Sequence, residues 1–168
     1  MDRRIEPAHL AVLQRICSRL RDSSVNWAVT GSLALALQGV PVEVHDIDLL
    51  TDEAGAYEIE RRLFEFVTRR VRFSVEEHIR SHFGALTIDG VKVEIIGDVE
   101  TRRADESWER GSDLARYKRV VEIEGKQVPV LSLECEYEAY HRLGRTEKVE
   151  LLREWLYGKR GFSETLVG

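Results

Sequence analysis

The sequence predicts an α/β (α+β) fold, a mixed sheet flanked by helices and followed by a small helical C-terminal part. Three observations carry this. Apolar residues recur at helical spacing near the start, in the middle and near the end of the chain. Between those stretches stand apolar runs of strand length. Two Gly-containing dipeptides, Asp89-Gly90 and Glu124-Gly125, separate apolar runs in the manner of hairpin turns.

The elements follow in order. Leu10, Leu13, Ile16, Cys17 and Leu20 mark one face of a first helix, with Pro7 suited to its first turn. Residues 27–29 predict a short buried strand that runs into Thr30-Gly31-Ser32 and an apolar helical stretch ending near Gly39. Residues 45–50, HDIDLL, predict a second strand. Ile59, Leu63, Phe66 and Val67 predict one face of a helix starting after Thr51-Asp52, whose acidic character suits a helix N-terminus. Residues 83–88 and 91–96 flank Asp89-Gly90 as a hairpin, and residues 120–123 and 127–131 flank Glu124-Gly125-Lys126 as a second. Between the hairpins, residues 97–117 are polar and without clear period, which predicts a loop with a partial helix. Leu133, Tyr137 and Tyr140 mark a helix ended by Gly144. Val149, Leu152 and Leu156 mark a last helix, with Thr146 as its N-cap.

Composition narrows the function classes. A chain of 168 residues with 43% hydrophobic and 33% charged residues has the make-up of a globular protein with a real core. No apolar run approaches the roughly 18 residues of a membrane span, and the first ten residues lack the apolar centre of a signal peptide. The two cysteines, Cys17 and Cys135, sit among apolar helical positions and form neither a disulfide framework nor a zinc spacing. Buried thiols in a reducing, cytoplasmic setting are expected. A net charge of -5 argues against a general nucleic-acid coat protein.

The chemistry is concentrated in residues 27–50. Asp46 and Asp48 are two residues apart on a predicted strand and so point to the same face, while Ile47 and Leu49 point into a core. Aligned carboxylates repel each other unless something positive lies between them, and a divalent cation held by oxygen ligands is the object that fits. Gly31 lets backbone approach a ligand closely, and the helix starting near Ser32 offers N–H groups to an anion. Phosphate beside metal is the resulting expectation. Glu94 is a lone acid in the apolar run 91–96, costly there unless it ligates or pairs, with Lys92 the nearest available partner.

This arrangement resembles the nucleotidyltransferase superfamily, the polymerase-beta-like fold. The likeness is closest to the subgroup of AbiEii-type toxins and small lincosamide- and aminoglycoside-modifying nucleotidyltransferases. The residues that carry it are GSLALALQG followed by VPVEVHDIDLL, and the resemblance covers about residues 27–96, with a looser likeness over 131–148. It implies a nucleotidyltransferase-like core over 1–131 and a C-terminal helical annex over 132–168 packed on that core. It also implies that Glu94 is the third carboxylate of the site, beside Asp46 and Asp48, where aspartate is usual. Val42 and Val44 stand where an arginine and a threonine are frequent.

The activity so implied is transfer of a nucleoside monophosphate from a nucleoside triphosphate to a hydroxyl of a small molecule, a protein or an RNA end, with release of pyrophosphate. Asp46, Asp48 and Glu94 would be catalytic and would hold Mg²⁺ or Mn²⁺, while Gly31 and Ser32 would bind the nucleotide. The alternative is a degenerate member of the fold that acts as a binding module, for example within a toxin–antitoxin pair. Acceptor, base preference and oligomeric state are not legible. Seven cations, Arg102, Arg103, Arg116, Lys118, Arg142, Arg145 and Lys148, are available for triphosphate contacts, of which one or two are expected to serve. His78 and His82 have a spacing that permits shared ligation on a helix, but their polar flanks read as a solvated face. His45 points away from Asp46, and Tyr137, Tyr140 and Trp155 read as core rather than as a nucleobase platform.

Overall fold

The backbone alternates helix and strand around one mixed sheet. A computed structural model of the chain describes residues 5–158. In order these are α1 (Pro7–Leu20), β1 (Trp27–Thr30), α2 (Gly31–Leu37), β2 (Ile47–Thr51), α3 (Glu53–Arg62), a single 3₁₀ turn, β3 (Val67–Val75), β4 (Ile79–Ile88), β5 (Val91–Arg102), β6 (Trp108–Arg110), α4 (Leu114–Tyr117), β7 (Lys118–Ile123), β8 (Lys126–Leu131), α5 (Leu133–Arg142) and α6 (Thr146–Arg153), which runs into a π turn.

Strand order in the sheet is β3-β4-β5-β2-β1-β8-β7, with β6 paired to β5 off that path. The β2–β5 and β1–β8 pairings are parallel and the others antiparallel. Burial along β2 alternates: Ile47 and Leu49 are wholly buried, while Asp48 and Leu50 face the other way. On β5, Val93 and Ile95 are buried in the same phase. These residues share a core with the apolar faces of α1 and α3, and with Val149 and Leu152 of α6. On the opposite face a smaller cluster joins Ala28 and Leu131 to Leu114 of α4 and Cys135 of α5. Both faces of the sheet's centre are therefore covered, and α5 and α6 are continuous with the body of the protein. Among the described residues no helix is long and apolar enough to cross a membrane.

Several expectations need correction. The helix after Asp52 is capped by that residue, whose side chain accepts from the Gly55 N–H, but it ends at Arg62. Phe66 lies in the 3₁₀ turn and Val67 begins β3, a strand the apolar pattern did not disclose. β3 lies at the sheet edge with only Val71 buried, so alternation is missing from its sequence. β4 begins at Ile79, which puts His82 on a strand, and His78 just before it, rather than on a helix. The segment 97–117 contains the partial helix expected, as α4, and is loop only in part: β5 continues to Arg102 and pairs there with β6. Those residues are only partly buried, and cross-strand hydrogen bonding rather than a hydrophobic face holds them. Thr146 is the first residue of α6, and the N-cap is Arg145, whose side chain makes no capping bond. Cys135 is buried as expected, whereas Cys17 is only partly so.

Close packing between α3 and β5 depends on Gly97. A Cβ there would lie 2.8 Å from the Asp52 carbonyl oxygen and 2.9 Å from the Ala56 Cβ. Backbone and a wholly buried alanine cannot yield cheaply. Gly97→Ala is expected to destabilise the fold by about 1–3 kcal/mol, lowering the melting temperature by roughly 2–4 °C per kcal/mol in a chain of this size. Thermal unfolding followed by circular dichroism measures this, and an unchanged midpoint would show that α3 can shift outwards freely.

Candidate active site

The β2–β5 register decides the geometry. Asp48 and Glu94 are Cα partners on these adjacent parallel strands. Their side chains leave the same face of the sheet, since the residues on either side of each belong to the opposite core. Both line a cavity of about 410 Å³, together with Thr30 and Gly31. Asp46 stands just before the first residue of β2, half-buried, rather than within the strand. It does not line the cavity, but its charge reaches Asp48.

The turn from β1 into α2 presses on the same point. Thr30 is the Cα partner of Asp48 across the antiparallel β1–β2 pair. Gly31 has φ +75, and a Cβ on it would lie 2.6 Å from Asp48 Oδ2. Only glycine reconciles that backbone angle with that approach. The Gly31 N–H is not free, because it donates to Glu136 Oε1 at 3.0 Å, and the Thr30 hydroxyl donates to the same oxygen at 2.5 Å. Ser32 Oγ accepts from the His45 N–H at 3.2 Å, which ties the helix start to the chain entering β2. The hydroxyl proton of Ser32 remains available to an acceptor.

The electrostatics are those of crowded negative charge. Burial, then the charges of Glu94 and Asp46, push the Asp48 carboxyl up to about 7, with Arg145 and Lys92 acting against the rise. Glu136, 3% exposed, is likewise pushed up to about 7 by burial, opposed by its bonds from Thr30 and Gly31. Lys92 reaches Glu94 with Nζ 3.1 Å from Oε1. Its ammonium is held above its ordinary range by Glu94 first, then by Asp46 and Asp48. A side-chain cation thus already sits against the acids. With Glu94 turned to Lys92, no three His, Cys, Asp or Glu side chains among the described residues converge closely enough to grip an ion. The donor set is all-carboxylate, the chemistry preferred by Mg²⁺ and Mn²⁺.

The remaining flagged residues separate clearly. Arg142 and Arg145 line the cavity. Arg102 is engaged with Glu106 and Trp108, Arg103 with Glu109, Arg116 with Tyr117, and Lys118 with Asn26. His78 pairs with Glu77 at 3.8 Å, and His82 packs between Tyr57 and Phe73. The His45 side chain is exposed, and its carbonyl accepts from His9 Nε2 at 2.7 Å. Tyr140 is buried, with its hydroxyl raised by burial, while Trp155 is 47% exposed and so no core residue.

A model of the family described as aminoglycoside-2″-adenylyltransferase matches residues 12–153. The chain belongs to this family. Its chemistry is nucleotidyl transfer, and the fold agrees. A structure from Thermotoga maritima, named as a candidate nucleotidyltransferase, is 62% identical over 90% of this chain and 94% of its own length, with a TM-score of 0.81. The adenylyltransferase ANT(2″)-Ia, solved with adenylyl-2″-tobramycin, is similar in fold at 16% identity, with 91% and 92% of the two chains covered and a TM-score of 0.58. The lincosamide adenylyltransferase LnuA, solved with lincomycin, gives 12% identity, 84% and 94% coverage and a TM-score of 0.53. None of the curated proteins matches.

Glu136 is the residue of this family member that sequence reasoning missed. An acid in a helix reads as solvated surface, yet Leu133, Glu136 and Tyr140 recur at i, i+3 and i+7, which marks position 136 as inward-facing. That spacing was the available signal.

The raised carboxyls give stability a definite pH dependence. Asp48 and Glu136 titrate at about 7 when folded, against ordinary values of 3.8 and 4.5. The folded chain therefore holds protons that the unfolded chain has released. Their contribution to stability is present in full below about pH 4 and is lost as pH rises through about 7. The melting temperature of the metal-free protein is expected to fall between pH 5 and 8. Asp48→Asn should flatten that fall and raise the midpoint at pH 8 by several degrees, at roughly 2–4 °C per kcal/mol. Calorimetry across that range checks both statements, and a lower midpoint for the variant at pH 8 would make Asp48 a structural hub instead.

Proposed function

We propose that this protein transfers a nucleoside monophosphate, with ATP the donor suggested by its family, to a hydroxyl of a small molecule in a metal-dependent reaction at Asp46, Asp48 and Glu94. The observation that carries the reading is the crowding of acids at Asp48, which is the Cα partner of Glu94, lines one cavity with it and feels the charge of Asp46. A carboxyl in a poorly solvated cleft with two further acids acting on it is a costly arrangement, and folds retain such arrangements where function needs them. The all-oxygen donor set fits Mg²⁺ or Mn²⁺, with Glu94 released from Lys92 to complete it. When bound, the cation neutralises charge on the reacting phosphate.

The chain's own groups do the rest. The β1–α2 turn, held open by Gly31 and braced by Glu136, sets Asp48 in place, and the Ser32 hydroxyl donates to a phosphate oxygen. Glu94, on the strand next outward from Asp48, takes the proton of the acceptor hydroxyl. The acceptor oxygen then bonds to the α-phosphorus as the bond to the bridging oxygen breaks, and pyrophosphate leaves. Catalysis rests on positioning and charge neutralisation, as in phosphoryl transfer generally. A cavity of about 410 Å³ shared with the nucleotide supports a small-molecule acceptor over a bulky one.

The test is release of pyrophosphate from ATP with Mg²⁺ across a panel of hydroxyl compounds. Asp48→Ala should reduce it on the order of 10³-fold, equivalent to about 4 kcal/mol of transition-state stabilisation. Glu94→Asp, which keeps the carboxylate one methylene shorter, should retain turnover, whereas Glu94→Gln should not. Equal activity of Glu94→Gln and wild type would remove Glu94 from the reaction, and failure of the wild type to bind ATP with any divalent metal would favour a binding module without turnover.

A further inference from the structure

Ile79 and Phe83 of β4 and Ile96 and Val99 of β5 are half-buried, yet they belong to neither hydrophobic cluster and line the cavity instead. Ile96 is two residues beyond Glu94 and so leaves the same face of β5, which makes this apolar wall continuous with the acids. Large apolar side chains that the fold does not pack are surface that a ligand can cover.

The backbone is irregular where this wall lies. β3 shifts register against β4 on both sides of Arg69, and β4 shifts against β5 between Arg80 and His82. Bulges beside a site redirect side chains. Here Arg69 is brought to the cavity, with its guanidinium 5.0 Å from the centre of the Phe83 ring. Gly84 lets the two strands meet, because a Cβ on it would lie 2.6 Å from Val71 Cγ2 and 3.1 Å from the Arg69 carbonyl oxygen. Among the described residues Arg69 has no acid partner, whereas Arg70 beside it pairs with Glu60.

Charge is shared out unevenly along the cavity. Asp48 and Glu94 are set against the metal and the reacting phosphate, and Glu136 is spent on Thr30 and Gly31. Of the acids among the described lining residues, that leaves Glu76, exposed just past β3, to meet a positively charged ligand. Ser81 and Thr101 add hydroxyls to the apolar wall. A polyamine would meet one carboxylate and an opposing guanidinium here, an arrangement that rejects it.

We propose that the lobe of the cavity over β3, β4 and β5 is the acceptor subsite, and that it selects a hydroxylated compound with an aromatic or alicyclic face and no positive charge. The ring of such a compound lies on Phe83, Ile96 and Val99 with its hydroxyl at Glu94, and Arg69 favours an anionic substituent over a cationic one. The inference rests on the nucleotidyl-transfer reading for the role of the ligand, not for its chemistry.

Titration calorimetry on the full chain, with the nitrophenyl glycosides of glucuronic acid, glucose and glucosamine, tests the assignment. The three share an aromatic ring and differ in charge at about pH 6, where the amine is protonated and the acid ionised. Each is titrated with Mg²⁺ and α,β-methylene-ATP, whose AMP cannot be transferred, and again without them. Affinity should fall in the order glucuronide, glucoside, glucosaminide, with the first and last about three- to tenfold apart. Arg69→Gln should abolish the advantage of the glucuronide over the glucoside, and Arg69→Lys should keep it. Phe83→Leu should weaken all three alike, about two- to tenfold. Melting curves show whether each variant folds, and should Phe83→Leu fail to, the Arg69 variants carry the comparison. Tightest binding of the glucosaminide, or a ranking that Arg69→Gln leaves unchanged, would overturn the proposal, as would no binding of any glycoside at millimolar concentration. Charge-ranked binding that needs Arg69, in a wild type that releases no pyrophosphate with any acceptor, would sink the nucleotidyl-transfer reading and leave the binding site standing. Faster transfer to a polyamine than to an anionic acceptor would do the reverse.

Discussion

Repulsion between carboxylates that the sheet forces together is the interaction around which this molecule is arranged. The parallel pairing of β2 with β5 sets Asp48 opposite Glu94, and the chain entering β2 brings Asp46 within range. Burial of Asp48 weakens the screening of its charge. The neighbouring side chains answer that charge. Lys92 leans onto Glu94, Arg145 lowers the burden on Asp48, and protons are retained where cations do not reach. Glu136 adds a further acid rather than relieving the first three, but it spends its charge on the Thr30 hydroxyl and the Gly31 N–H.

The frame that bears this cost is built from the same strands. Ile47, Leu49, Val93 and Ile95 alternate with the acids and are wholly buried on the opposite face. Period-two alternation therefore couples core and site, because a slip of one residue would bury the acids and expose the aliphatic residues together. The core cannot be packed correctly with the site assembled wrongly. This is why the pattern HDIDLL carries so much information in six residues.

Legibility in the sequence followed that coupling. Asp48 and Glu94 could be read because each interrupts an apolar strand, and the Asp89-Gly90 turn fixed the hairpin that contains Glu94. β3 and the far end of β5 could not, because residues such as Arg69, Arg70 and Arg72 on an edge strand show no buried face. Phe66 fell at helical spacing from Ile59, yet the helix had already ended at Arg62, for a sequence pattern does not reveal where a tertiary neighbour takes over. Glu136 was hidden by its residue type, since an acid on a helix is usually solvated. Which of seven cations faces the cavity depends on how α5 rotates against the sheet, and that is decided by packing rather than by local propensity.

The parallel contact between β1 and β8 joins Val29 to Val130. β1 lies between β2 and β8, so one of its edges stays unpaired until β8 has been made. Until β8 has been made, β1 therefore carries an open, apolar edge, and the brace from α5 onto the Thr30-Gly31 turn arrives later still. Contacts of such sequence separation are slow to form and expose the chain to association in the meantime. The candidate acids of β2 and β5 are thus brought to order only once β8 and α5 have docked, so assembly of the site waits on contacts far apart in the sequence rather than on the appearance of the acids themselves.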